Sequence, residues 1–364
     1  MMLSRRDLRV LSTLAEAPLG TVKVLSKLAG MTPTTFSRRL ERLVKDGILI
    51  SVSAEICYPV LKLEPFLFFL RSPFKHLEEV ERALDLHHYT RYRVRCLGFY
   101  NGIYAIFAIP QHTLSLLLEF IDGLSEMGLI NKYYYDTPVA GWVYTENNFN
   151  YYDPEADSWS FDLKDWESRI EELESPPPLR SYPPPVLHKM NCKDMRILRQ
   201  LTINAREKWK VIAEKADVPQ YHLSRRLRFY EEHKIIDTYR VIVHRNASRL
   251  FATLIFECQC PVSVTRRFAE AVKMLPFQST LIPTRRGFFL QTSIPPLNFP
   301  RFGSILQKYC HDVRVLWSDY ESSMRYWFWH EPYQRGGWVS TRRYMVDEVL
   351  DKLRKSETNF DVPV

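Results

Sequence analysis

The sequence predicts an α+β protein in which two kinds of unit alternate and the pair is then repeated. Three observations carry this. The stretch Phe36-Ser37-Arg38-Arg39-Leu40 recurs 187 residues later as Leu223-Ser224-Arg225-Arg226-Leu227. The match extends without a gap: Arg9, Leu11 and Leu14 fall on Arg196, Leu198 and Leu201, Lys23-Val24 on Lys210-Val211, Ala29 on Ala216 and Ile48 on Ile235. A fixed offset with matched apolar positions marks an internal duplication. In each copy a helical stretch precedes short apolar strands interleaved with helices, and the basic charge collects in the helical stretches.

The helical stretch of the first copy reads as three helices. Leu8, Leu11 and Leu14 recur at helical spacing, and Val22, Leu25 and Leu28 mark a second, short helix. Ala29-Gly30-Met31 makes the turn. Thr32-Pro33 then opens a third helix with a hydroxyl at the N-cap and proline at the first helical position. Phe36, Leu40 and Leu43 share one face of it, while Thr34, Arg38 and Arg42 point the other way. Gly47-Ile48-Leu49-Ile50 ends the helix and begins a strand. Helix, helix-turn-helix, strand is the layout of a winged helix-turn-helix.

The next stretch orders as β-α-β-β-α-β, a ferredoxin-like unit. Pro65–Leu70, Tyr92–Leu97, Ile103–Ile109 and Ile130–Tyr135 read as strands, with Phe74–Leu86 and Leu114–Leu124 as helices and Gly98-Phe99-Tyr100-Asn101-Gly102 as a turn. The second copy repeats this order with small changes in length: Gly287-Phe288-Phe289 answers Gly102-Ile103-Tyr104, and Ile294-Pro295 answers Ile109-Pro110. A lone sheet of this kind leaves one face open, so the two sheets are expected face to face.

Each copy ends in an aromatic tail and a charged helix. Trp142, Tyr144, Phe149, Tyr151, Tyr152 and Trp159 precede Asp165–Glu174; Tyr326-Trp327-Phe328-Trp329, Tyr333 and Trp338 precede Arg342–Lys355. Such rings are expected to pack between domains. Ser175-Pro176-Pro177-Pro178 through Pro183-Pro184-Pro185 is a semi-rigid spacer. The expected division is a first winged helix-turn-helix at 1–54, a ferredoxin-like domain at 55–140, a tail and linker at 141–187, a second winged helix-turn-helix at 188–243, a second ferredoxin-like domain at 244–320, and a tail with its helix at 321–364.

The net charge of +8 over 364 residues is unevenly placed. Residues 1–50 hold nine Lys/Arg against four Asp/Glu, and residues 188–237 hold twelve against seven. The rest of the chain is slightly acidic. Basic charge confined to the duplicated helical units points to a polyanion. No apolar run of membrane-spanning length and no signal-peptide core is present, so the expected location is cytoplasmic and nucleoid-associated. The six cysteines include no Cys-x-x-Cys pair and read as idle thiols in a reducing compartment. No nucleophile triad, phosphate loop or metal-ligand spacing stands out, so neither enzymatic activity nor a cofactor or metal is expected.

A helix entering the major groove needs an apolar back, hydroxyls for base edges or phosphates, and arginines for phosphates or guanine. The candidates are Thr32, Thr34, Thr35, Ser37, Arg38, Arg39 and Arg42 in the first copy. In the second they are Gln220, Tyr221, His222, Ser224, Arg225, Arg226 and Arg228. The expected partner is double-stranded DNA, read by two unlike helices.

Leu8-x-x-Leu11-x-x-Leu14, Ala29-Gly30-Met31-Thr32-Pro33, Phe36-Ser37-Arg38-Arg39-Leu40 and Asp46-Gly47-Ile48 together resemble the Lrp/AsnC (feast/famine) transcription regulators. That resemblance covers both halves. It implies a helix-turn-helix joined to a ligand-sensing βαββαβ domain, and recognition-helix contacts at the positions just named. A small-molecule effector and a homodimer stay open. This chain departs from the family's pattern in being a tandem fusion with a tail on each half. Its hairpin turns, Gly98–Gly102 and Pro283–Gly287, carry no carboxylate. The sirohaem decarboxylases, built from two such halves, are the alternative from a different functional class. That reading needs His and Arg placed for tetrapyrrole carboxylates, with His87-His88, Arg91, Arg93 and Arg95, or Arg285-Arg286, as candidates.

Overall fold

The computed structural model describes residues 3–357. In the first half, α1 (Arg5–Glu16) opens with a capping box: the Ser4 hydroxyl accepts the Asp7 amide, and the Asp7 carboxylate accepts the Ser4 amide. Then come α2 (Val22–Leu28) and α3 (Pro33–Lys45), the latter capped by Thr32. Their apolar faces close over Leu8, Leu11, Leu14, Leu25, Phe36 and Leu43, all buried. β1 (Leu49–Ile56) follows, then β2 (Leu63–Arg71), α4 (Leu77–Leu86), β3 (Thr90–Gly98), β4 (Gly102–Pro110), α5 (Leu114–Glu126) and β5 (Lys132–Asp136). The tail adds β6 (Val143–Thr145), a ribbon of β7 (Tyr152–Asp153) and β8 (Ser158–Trp159), and α6 (Leu163–Glu172).

The second half repeats the order. α7 (Cys192–Asn204) opens on a capping box of Asn191 and Asp194, at the positions of Ser4 and Asp7. α8 (Trp209–Ala216), α9 (Gln220–Glu232) and β9 (Ile236–Val243) complete its helix-turn-helix unit. A short α10 (Arg245–Ser248) leads into β10 (Thr253–Gln259), α11 (Val262–Ala271), β11 (Ser279–Thr284), β12 (Gly287–Thr292), α12 (Phe299–Tyr309) and a long β13 (Asp312–Arg325). The second tail carries a ribbon of β14 (Tyr333–Gln334) and β15 (Gly337–Trp338), then α13 (Glu348–Glu357).

The halves are joined three times. First, β1 pairs antiparallel with β9, from Leu49↔Val243 to Ile56↔Ile236, so the strand behind each recognition helix is completed by the strand behind the other. Second, nine other strands form one sheet in the order β5-β2-β4-β3-β13-β10-β12-β11-β6. Its seam is β3–β13, with Trp317↔Leu97 and Arg325↔Tyr92, and a register shift lets the segment between Asp319 and Met324 stand out from the ladder. The sheet also folds back so that its two halves face each other. Phe69 on β2 lies on Phe289 of β12 with ring centres 5.2 Å apart. The Tyr134 hydroxyl donates to Glu257 at 3.1 Å. Leu67, Val94, Tyr104, Ile255, Ile282 and Leu316 fill the layer between. The sheets therefore face one another as expected. Their edge-to-edge fusion through β3 and β13 was not anticipated.

Third, each tail crosses to the opposite half. β6 pairs with β11 of the second half. Trp166 of α6 stacks on Phe302 at 5.1 Å, and its indole N–H donates to the Ala271 carbonyl at 2.9 Å. In return, Val349, Leu350 and Leu353 of α13 are buried in the first half's core, Tyr89 donates to the Val339 carbonyl at 2.6 Å, and Trp338 to that of Leu61 at 2.7 Å. The tail aromatics pack between domains. Arg342 and Arg343 pair with Glu119 and Glu348. The polyproline spacer is pinned where the Arg180 carbonyl accepts the Gly141 amide at 2.7 Å and its guanidinium meets Asp237 at 2.9 Å.

Two glycines begin equivalent strands, β4 and β12, with left-handed φ of 149° at Gly102 and 143° at Gly287. A Cβ there would lie 1.9 Å from the Leu70 carbonyl oxygen and 2.0 Å from that of Cys258. Gly102→Ala and Gly287→Ala are each expected to cost more than about 1 kcal/mol, seen as a lower urea midpoint. Gly303→Ala, inside α12 with open space at its Cβ, should instead gain roughly 0.5–1 kcal/mol.

Candidate nucleic-acid interface and interdomain cavity

On α3 the outward face carries Thr34 and Arg38, both exposed. The Thr32 hydroxyl caps the helix, accepting the Thr35 amide at 3.3 Å and donating to the Thr35 hydroxyl at 2.9 Å. Ser37 donates to Glu41 at 3.0 Å. The two arginines of the motif divide. Arg38 projects to solvent, whereas Arg39 turns inward and donates to Asp7 of α1 at 2.8 Å. Arg42 reaches the other Asp7 oxygen at 2.5 Å while its side chain stays 48% exposed. Burial alone would raise the Asp7 pKa. The hydrogen bonds from Ser4 and Arg39 outweigh burial and hold it below its ordinary value.

The second unit repeats the division. Arg226 donates to Asp194 at 2.5 Å and lies over the Phe229 ring at 4.1 Å, and the buried Tyr230 hydroxyl donates to Asp194 at 2.8 Å. Gln220, Tyr221, Ser224, Arg225 and Arg228 are exposed. The Tyr221 ring leans on His222, which approaches Arg225 at 3.4 Å. Pro219 offers no side-chain cap. Of the fourteen sequence candidates, then, Arg39 and Arg226 belong to the domain's own packing, and Thr32 serves the helix cap. The signal for the former was present: Asp7 and Asp194 stand at the same offset as Arg39 and Arg226.

A second site emerged only in three dimensions. Between the β1–β9 ribbon, the folded sheet and both tails lies a cavity of about 470 Å³. Ala54 and Glu55 of β1, Arg240, Ile242 and Val243 of β9, and Gln278, Thr280 and Gln291 line it, with Arg240 donating to the Thr280 hydroxyl at 2.8 Å. The segment released at the β3–β13 register shift contributes Tyr320, Glu321 and Ser323. Four arginines reach it. Arg240 pairs with Glu146 at 2.7 Å, and Arg325 with Glu55 at 2.9 Å. Arg245 donates to the Phe251 carbonyl and to Thr253, and lies over the Tyr320 ring. Burial lowers the Arg245 pKa to about 10.

Arg91 differs. It is 4% exposed, and among the described residues none of its three guanidinium nitrogens has a hydrogen-bond partner. The rings of Tyr58 and Phe328 flank it at 5.6 and 5.7 Å, and Tyr89, Tyr344 and Glu331 are near enough to act on its charge. Burial lowers its pKa. An uncompensated buried charge costs several kcal/mol. Of the other residues weighed for tetrapyrrole carboxylates, His87 is buried against Phe120 and Phe107, and His88 stacks on Tyr344. Arg93 and Arg95 are tied to Glu81, and Arg286 to Asp136. None of these lines the cavity. Among the described residues no group of three or more His, Cys, Asp or Glu could hold a metal, and no helix is long and apolar enough to cross a membrane.

Residues 3–50 match the family model described as winged helix-turn-helix DNA-binding. An uncharacterized HTH-type transcriptional regulator of Bacillus subtilis, YezC, is 28% identical over 116 residues, spanning 32% of this chain and 81% of that protein. Among solved structures, the siroheme decarboxylase NirDL superposes with a TM-score of 0.57 at 12% identity, covering 96% of this chain and 100% of that one. An AsnC family transcriptional regulator from Agrobacterium tumefaciens gives a TM-score of 0.36 at 17% identity over 41% of this chain. The N-terminal unit is a winged helix-turn-helix DNA-binding domain of the kind found in transcriptional regulators. The whole-chain likeness establishes the overall fold.

Because Arg39 and Asp7 tie α3 to α1, Arg39→Ala should lower the thermal midpoint, whereas Arg38→Ala should leave stability within about 0.5 kcal/mol. A carboxylate whose folded pKa is depressed adds stability above its ordinary pKa of 3.8, and that stability is lost as pH falls through the folded value. The first helix-turn-helix unit should therefore lose stability as pH falls below about 4. Asp7→Asn should flatten that acid limb, as read by tryptophan-independent far-UV circular dichroism.

Proposed function

We propose that this chain is a sequence-specific regulator of transcription that grips double-stranded DNA with two unlike recognition helices held in one molecule. The observation carrying this is the pairing of β1 with β9, the strands that follow α3 and α9 in the chain. It fixes two exposed, basic, hydroxyl-bearing helix fronts to one ribbon, each anchored from behind by the same Arg–Asp tie. The match of residues 3–50 to a DNA-binding family supports it. The fronts differ. Thr34, Arg38 and Arg42 are compact, whereas Tyr221, His222, Arg225 and Arg228 place rings where the helix would meet bases. Side chains this different read different base edges, so the operator should consist of two unlike half-sites.

A second reading, a tetrapyrrole decarboxylase, draws on the whole-chain fold likeness to NirDL. The cavity lining includes no imidazole or thiol, and three of its four arginines are already engaged. This reading therefore ranks second. Added sirohaem is expected to keep all its carboxylates on incubation with the protein, checked by mass spectrometry.

Fragments selected from the source genome should bind with an affinity that falls steeply as salt rises, about one log unit per log unit of salt for each phosphate neutralised. Arg38→Ala and Arg225→Ala should each weaken binding by about 1–3 kcal/mol at unchanged thermal midpoint, with base sensitivity lost in different halves of the footprint. Salt-independent binding, none at low salt, or a perfectly palindromic footprint would overturn the proposal.

A further inference from the structure

The cavity beside the β1–β9 ribbon is lined by a buried arginine that, among the described residues, no side chain or carbonyl hydrogen-bonds. Arg91 sits on β3, lines the cavity, is nearly fully buried, and among the described residues has no hydrogen-bond partner for any of its three guanidinium nitrogens. Its neighbours argue that the lack of a partner is specific. Arg240 and Arg325, in the same lining, each have a carboxylate within 3 Å, Glu146 and Glu55. Arg245 has a carbonyl, a hydroxyl and a ring. The protein thus satisfies every arginine of the cavity except the most buried one. A planar guanidinium with its donors free matches a carboxylate in a two-point contact.

The rest of the lining narrows the ligand. Tyr58, Phe328, Trp142, Tyr144, Tyr92 and Tyr326 supply aromatic walls around Arg91. Gln278, Thr280, Gln291 and Ser293 add amides and hydroxyls to the same lining. Apolar walls with a few placed polar groups are the usual make-up of a small-molecule site, and about 470 Å³ lies within the range such sites occupy. Glu55 and Glu146 are already held by Arg325 and Arg240, which leaves Arg91 as the arginine of the lining with its donors free.

We infer that the cavity binds an aromatic carboxylate of one or two rings, its carboxylate on Arg91, its ring among the tyrosines, and any polar substituent on the amides and hydroxyls of the lining. The site lies on the strands that carry the reading heads. Glu55 of β1 and Arg240 of β9 line it, and those strands continue directly from α3 and α9. On the regulator reading above, a bound ligand presses on the ribbon that sets the spacing of the two helices, and so changes DNA affinity.

The test uses the full chain and two probes, indole-3-acetate and 4-hydroxyphenylacetate, each beside its neutral amide. Calorimetric titration should show at least one carboxylate binding about tenfold or more tightly than its amide, the loss expected when a hydrogen bond to a charged group is removed. Arg91→Met should abolish that preference. Because it removes an unanswered buried charge, the same substitution should leave the ligand-free thermal midpoint unchanged or higher. A structural arginine would do the opposite. Equal binding of acid and amide, no binding of either acid, or a clear fall in the thermal midpoint of Arg91→Met overturns the site. DNA affinity, measured with and without the bound acid, should move by at least about threefold in the wild type and not in Arg91→Met. If the acid binds and the DNA affinity stays fixed, the coupling fails while the DNA-binding reading survives. If the acid binds and no DNA does, the site stands and the regulator reading fails.

Discussion

The strand behind each recognition helix has no hairpin partner within its own unit, and the rest of the molecule answers that lack. A lone strand exposes two rows of backbone donors and acceptors, and burying them unpaired is costly. β1 finds its partner in β9, far along the chain, and β9 in β1. Once these pair, the two helix-turn-helix units lie against each other, their chains enter the sheet domains side by side, and the edges β3 and β13 are brought together to zip the sheets. The cavity is the space left where the small ribbon crosses the large sheet.

The Ser-Arg-Arg motif shows how one short stretch can serve structure and recognition at once. Its second arginine is spent on an aspartate that is also the third residue of a capping box. That aspartate therefore closes the N-terminus of the first helix and locks the third helix to it. With the back of the helix held this way, the outward neighbours of the first arginine are free to differ between the halves without unsettling the fold. This is where they do differ, compact in the first copy and aromatic in the second.

Much of this was legible in the sequence because it is local. Helical periodicity gave α1 to α3 and α7 to α9, the Thr32-Pro33 cap fell where expected, and the βαββαβ order held in both halves. The facing of the two sheets followed from the open apolar face each would otherwise show. What the sequence hid was non-local. The seam between β3 and β13 joins segments more than two hundred residues apart, with a register shift that no pattern announces. The crossing of the tails was hidden for the same reason, although their aromatic content correctly suggested packing. His87-His88 looked like a candidate pair, yet one ring is buried among phenylalanines and the other lies on a tyrosine. Arg91 could not be told from Arg93 and Arg95 by spacing. Glu81 and Asp85 lie on the preceding helix and answer Arg93 and Arg95, whereas Arg91 is turned to the cavity instead.

The exchange of tails sets an order on how the molecule is made. α6 covers helices that have yet to be synthesised when it leaves the ribosome. α13 covers helices that have been waiting since the first third of the chain. Until residue 348 has been made, α4 and α5 present an uncovered apolar surface, including the notch at Gly123 into which Leu350 fits. The first half is thus held incomplete through most of translation. During that interval its exposed helices could be covered by the α13 of a neighbouring nascent chain. Polysomes with widely spaced ribosomes would favour closure within one chain, and crowded ones would favour exchange between chains.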